Sequence, residues 1–208
     1  MRFWGIGLLM IGLSSVKAAD YTRMFIDQVL DRAALIVVGE LREVGDSTVV
    51  VEVEQVLKGE APSGPLRMKQ FVDWPCATRW TSYATGQRAI FCLESRHGLY
   101  QTVGAGNEGE FPIMDGRVYF ITYLSDCLHE AIGREKGYAF NLAVAIEGIQ
   151  KYLQMPIKEM IADQTVLGFW PDNAFLQKAI ASIWVHRARE LDVTPEQRTR
   201  IYIDHLRC

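Results

Sequence analysis

The sequence predicts an α+β protein: a domain of short strands closing as a small barrel or sandwich, followed by a helical carboxy-terminal region. Three observations carry that expectation. Residues 34–122 hold about six short runs rich in β-branched and aromatic residues, separated by turn signals. One of them, Val49 to Val56, alternates strictly, with Val49, Val51 and Val53 opposed to Val50, Glu52 and Glu54. From Leu142 onward the apolar residues recur at helical spacing instead.

Taken in order, Tyr21 to Ala33 reads as a helix, with Met24, Phe25, Val29 and Leu30 at helical spacing. Leu35 to Val44 reads as a strand, and the turn Gly45-Asp46 joins it to Val49–Val56 as a hairpin. Lys58-Gly59 and Pro62-Ser63-Gly64-Pro65 form a loop. Leu66 to Val72, Arg88 to Leu93 and Leu99 to Val103 supply three more strands. Asp115-Gly116 turns Phe111–Met114 back onto Val118–Thr122. Leu142 to Leu153 then reads as a helix. Asn173 to Leu191 places Phe175, Leu176, Ala179, Ile180, Ile183, Trp184 and Leu191 on one face of another. Thr194 and Pro195, with Gln197 at the third helical position, start a last helix running to about Leu206.

The amino terminus has the grammar of an export signal. Met1 and Arg2 precede an apolar run from Phe3 to Leu13, and small residues follow. Val16 and Ala18 suit the positions three and one before a cleavage site, which falls after Ala18. An 11-residue apolar run is too short to cross a bilayer, which takes about 20 residues. The expected organisation is therefore a signal peptide over 1–18, a β-barrel-like domain with an amino-terminal helix over 19–125, and a helical region over 126–208. The expected location is the periplasm or the extracellular space. No later stretch is apolar enough to span a membrane.

With 49% apolar and 11% aromatic residues, the chain has the material for a packed core. Loss of Arg2 and Lys17 with the signal leaves 20 basic residues against 25 acidic ones, a net charge near −5. That balance disfavours nucleic acid and anionic lipid as partners, because both reward clustered positive charge. The five arginines between Arg187 and Arg207 alternate with acids and read as a solvated helix face. Four cysteines, Cys76, Cys92, Cys127 and Cys208, form an even set in an exported chain and suggest disulfides. Of three possible pairings, Cys76–Cys92 with Cys127–Cys208 keeps each bridge within one region.

Three stretches carry a family resemblance. Ala33-Ala34-Leu35-Ile36-Val37-Val38-Gly39-Glu40 resembles the first barrel strand of bacterial proteins related to tissue inhibitors of metalloproteinases and netrin-like modules. Val51 to Gly59 resembles their second strand and its turn. Gly86-Gln87-Arg88-Ala89-Ile90-Phe91 resembles their strand of glycine, polar, arginine and apolar residues. The resemblance covers about residues 28–122 and implies an OB-like five-stranded barrel with flanking helices. It does not imply protease inhibition. The inhibitors begin with a Cys-x-Cys whose first cysteine caps the target's zinc, whereas the mature start here, Ala19-Asp20-Tyr21, has no cysteine.

Candidate chemistry is sparse. Gly104-Ala105-Gly106-Asn107-Glu108-Gly109 spells G-x-G-x-x-G, but a dinucleotide site needs a helix after it, and Phe111-Pro112-Ile113 is extended. A flexible loop is the expectation, with no cofactor. Cys127-x-His129 and His205-x-x-Cys208 have the donor types of a tetrahedral zinc site, in competition with a disulfide between the same cysteines. Asp126, His129 and Glu130 lack a nearby nucleophile, and Glu108 with Glu110 is a carboxylate pair in a glycine loop. The richest stretch is Trp74 to Tyr83. Trp74, Trp80 and Tyr83 are candidates for a binding surface, set against a plain role plugging one end of the barrel.

The sequence thus points to an exported, non-enzymatic binding protein with a protein partner in the envelope or outside the cell. The alternatives are a metal-dependent enzyme built on Cys127, His129, His205 and Cys208, and a structural component packing its helices on a partner near Trp184. One consequence is directly measurable. Protein recovered from the exported fraction is expected to begin at Ala19. Intact mass spectrometry checks this, and a chain still carrying Met1 would refute it.

Overall fold

The computed structural model describes residues 21, 24–75, 77–106, 108–120, 130–132, 135–156 and 172–187. The fold is mixed α+β, with one large sheet and three helices among the described residues. The strands are β1 (Leu35–Val44), β2 (Thr48–Lys58), β3 (Leu66–Lys69), β4 (Arg88–Arg96), β5 (Leu99–Thr102), β6 (Glu110–Met114), β7 (Arg117–Phe120), β8 (Glu130–Ile132) and β9 (Glu135–Asn141). The helices are α1 (Ile26–Arg32), α2 (Leu142–Gln154) and α3 (Ala174–Arg187).

β1 is the shared wall. It pairs antiparallel with β2 along one edge and with β4 along the other. β2 continues to β3, β3 meets β5 in parallel through Met68 and Tyr100, and β5 pairs with β4. β4 also pairs with β6, from which the sheet runs on through β7 to β9 and β8.

Because strand side chains alternate, β1 and β4 each feed two cores. Leu35, Val37, Leu41, Phe91 and Leu93 face a cluster closed by Val49, Val51, Leu66 and Met68. Ile36, Val38, Ile90 and Cys92 face the other way, onto Val29 and Leu30 of α1, Ile149 of α2 and Phe175 and Ile180 of α3. A strand buried on both sides reads as a continuous apolar run, which is why Leu35 to Val38 shows no alternation in sequence. Phe120 lies at the centre of an aromatic group, its ring 4.3 Å from Phe111 and 4.7 Å from Phe175.

Local sequence sets the helix ends. Lys58 Nζ donates to the carbonyls of Leu30 (2.8 Å) and Asp31 (3.0 Å), satisfying acceptors that the end of α1 leaves open. Asn141 caps α2 by accepting from Ala143 N. Asn173 does two jobs. Its Oδ1 accepts from Leu176 N at the start of α3, and its Nδ2 donates to Val144 O on α2. Gly148 allows that approach, since a Cβ there would sit 2.5 Å from Asn173 Oδ1. Asp27 of α1 is fully buried, and its Oδ1 accepts from Ser182 Oγ of α3 at 2.7 Å.

The structure departs from the sequence expectations in four places. The first helix starts at Ile26, not Tyr21. The third strand stops at Lys69, with Gln70 N donating one last bond across to Ser47 O. The region from 126 onward is not wholly helical: β8 and β9 form a hairpin and β9 joins β7. Cys92 is a free, fully buried thiol in the helix-facing core, so the expected Cys76–Cys92 bridge is not formed. Cys76, Cys127 and Cys208, the segment 1–18 and the last helix lie outside the described residues. No helix among the described residues is long and apolar enough to cross a membrane.

Gly39 marks a close approach in the β1–β2 ladder. A Cβ there would lie 2.6 Å from both Glu52 O and Val51 Cγ1. Gly39→Ala is therefore expected to lower stability by about 1–3 kcal/mol through overpacking. Gly64→Ala, where a Cβ would meet nothing within 4 Å, is expected to stay within about 0.5 kcal/mol of the parent. Urea midpoints of the two variants measure the difference.

Candidate functional site

Between β3 and β4 the described residues from 70 to 87 form neither helix nor strand, yet they are firmly tied down. The tie is Arg79. Its Nε donates to Glu110 Oε2 at 2.8 Å and its Nη2 to Glu110 Oε1. Nη1 donates to Thr81 O (2.7 Å), and Nη2 also donates to Gln87 Oε1 (2.9 Å). The two side chains are 2% and 1% exposed. The guanidinium stacks on Tyr83, 3.8 Å from the ring centroid, with Trp80 5.1 Å away. Trp80 Nε1 adds a hydrogen bond to Glu110 Oε1 (3.2 Å).

Secondary bonds shape the rest of the segment. Asp73 Oδ1 accepts from Arg79 N, Phe71 N donates to Tyr83 Oη, and Gln87 Nε2 donates to Ser82 O. Trp74 and Ala77 exchange backbone hydrogen bonds at 3.0 Å. Beside this segment opens a cleft of about 360 Å³. Phe71, Asp73, Ser82 and Tyr83 line one side, and Val44 with Gly45 of the β1–β2 hairpin line the other.

The three candidate aromatics therefore separate. Tyr83 is half-buried and lines the cleft. Trp80 is only 8% exposed, so its indole supports the segment from within and offers no surface. Trp74 is half-buried and meets Tyr21 edge-on at 5.4 Å. The sequence reading passed over Arg79. The available signal was an arginine placed between aromatics, 31 residues before a glutamate that opens an otherwise apolar strand.

Glu108 and Glu110 act separately. Glu108 accepts from Tyr21 Oη, from Met24 N (3.2 Å) and from Ala105 N (3.1 Å), pinning the amino-terminal segment to the glycine-rich loop. The glycines of that loop serve close packing. Gly106, at φ +59°, would bring a Cβ within 2.5 Å of Thr78 O, and Gly109 within 2.4 Å of Val103 O. The loop is thus packed against the 70–87 segment.

Cys92 is not a reactive thiol, because burial pushes its ionisation far above the usual range. Among the described residues, no group of three or more histidine, cysteine or acidic side chains could hold a metal. Cys127, His129, His205 and Cys208 lie outside the described residues. No protein-family model matches the chain, and no curated protein matches its sequence.

Two outcomes follow from the geometry. Arg79→Met strands a buried carboxylate and is expected to cost about 3–5 kcal/mol. Adding Glu110→Leu is expected to restore at least half of that loss, measured by denaturant unfolding. Burial pushes the Tyr83 phenol up to about 12 from an ordinary 10, with the Glu110 charge adding to it. The folded state thus holds this proton more tightly, and its contribution is complete below about pH 10 and lost as pH rises through about 12. Tyr83→Phe is expected to flatten the fall in unfolding midpoint across that window.

Proposed function

We propose that this chain is an exported, non-enzymatic interaction protein that uses the cleft beside residues 70–83 as its docking surface. The observation that carries the reading is the combination at this site. An irregular segment is held rigid from below by the Arg79–Glu110 pair, while above it polar and aromatic groups surround an open cleft. Preorganised loops reduce the entropy lost on binding. Val44, 40% exposed, lines the cleft, and Val72, 75% exposed, lies in the chain between the lining residues Phe71 and Asp73. Large apolar side chains left in water beside a cleft favour association.

The same reading takes the strands β1 to β5 as an OB-type barrel of the kind found in modules resembling tissue inhibitors of metalloproteinases and netrins. In support, the pairings β1–β2–β3–β5–β4 return to β1. The placement of this surface outside the cytoplasm rests on the Met1–Ala18 signal grammar.

The test is photocrosslinking in the exporting cell. A crosslinking amino acid at position 72 is expected to capture a discrete protein partner. The same group at Glu60, exposed in the loop that leaves the opposite end of β2, is expected to capture none. Equal capture at both positions, or none at either, would refute the docking surface.

A further inference from the structure

Resting on the docking reading, we infer that the cleft accepts the cationic side chain, lysine or arginine, of a partner protein. The lining contains two charged residues, Arg79 and Asp73. The Arg79 charge is answered by Glu110, and both groups are almost fully buried. An anion entering the cleft would therefore find no exposed guanidinium to bind it.

Asp73 is different. It is exposed and makes no ion pair among the described residues. Its Oδ1 accepts the Arg79 backbone N–H at 2.9 Å, while Oδ2 keeps its lone pairs. A carboxylate at the wall of a cleft, beside the rings of Phe71 and Tyr83, matches a cation on an aliphatic stem, with a charge for the head and apolar surface for the methylenes.

The surroundings carry both signs, with the acids on the hairpin that forms the cleft. Glu43 and Asp46 are exposed at the end of the same hairpin that supplies Val44 and Gly45; of the exposed cations nearby, Arg42 is paired with Glu40 and Glu52, which leaves Arg67 and Lys69 of β3. Val44, 40% exposed in the lining, adds apolar contact. A volume of about 360 Å³ lies at the low end of small-molecule sites, about 300–1,000 Å³, and holds one long side chain. The recognised element is therefore a basic residue flanked by apolar ones.

Acetylated, amidated tripeptides with arginine, citrulline or glutamate between two leucines provide the probes. Titrations followed by NMR are expected to show the arginine peptide shifting the Asp73 and Tyr83 resonances saturably. Its affinity is expected to exceed that of the neutral citrulline peptide at least tenfold. Asp73→Asn keeps an oxygen for the Arg79 N–H, so the fold is retained, and it is expected to bring the arginine peptide down to the citrulline level. Citrulline binding as well as arginine, or glutamate binding better, would overturn the inference. If position 72 captures a partner while the arginine peptide leaves these resonances unmoved, the inference fails and the docking surface stands. Failure of capture with saturable arginine binding would refute the protein partner and keep the cation site.

Discussion

Arg79 and Glu110 meet in the interior, and the irregular part of this molecule is organised around them. Removing two charges from water costs several kcal/mol for each ion. The cost is offset only because the geometry is bidentate and the remaining donors find Thr81 O and Gln87. The net gain in stability is therefore small. The gain in definition is large, since any other path for residues 70–87 would leave Glu110 charged and unanswered inside the protein. Specificity of this kind is a known use of buried polar groups.

The second constraint is the wall made by β1 and β4. Each side of that wall closes a different core, one between strands and one against helices. A change at Ile36 is felt by α1, α2 and α3, and a change at Val37 by β2 and β3. The two cores meet at the backbone of the same strands, and at Gly39 the neighbouring backbone of β2 leaves no room for a Cβ.

Much of this was legible in the sequence. Alternation and a turn dipeptide located the β1–β2 hairpin. Helical spacing located α2 and α3, and Phe175, Leu176, Ala179, Ile180 and Ile183 are all buried as that spacing required. β9 was missed because Gly137 and Ala139 dilute its pattern, although Tyr138 and Phe140 do alternate. The candidate site was legible only by type. Aromatics drew attention to 74–83, yet which of them faces solvent depends on a partner at position 110, and a separation of 31 residues leaves no periodic trace. The glycine-rich loop misled for a similar reason. Its residues answer to the backbone of Thr78, which no local pattern encodes.

The contact between Asp27 and Ser182 spans 155 positions. At synthesis rates of about 5–20 residues per second, the serine emerges roughly 8–30 s after the aspartate. A seven-residue helix is marginal alone in water, and until α3 arrives its carboxylate is better served by solvent. α1, made early, is thus among the last elements to be fixed in place. A truncation that removes Ser182 with the rest of α3 is felt at α1.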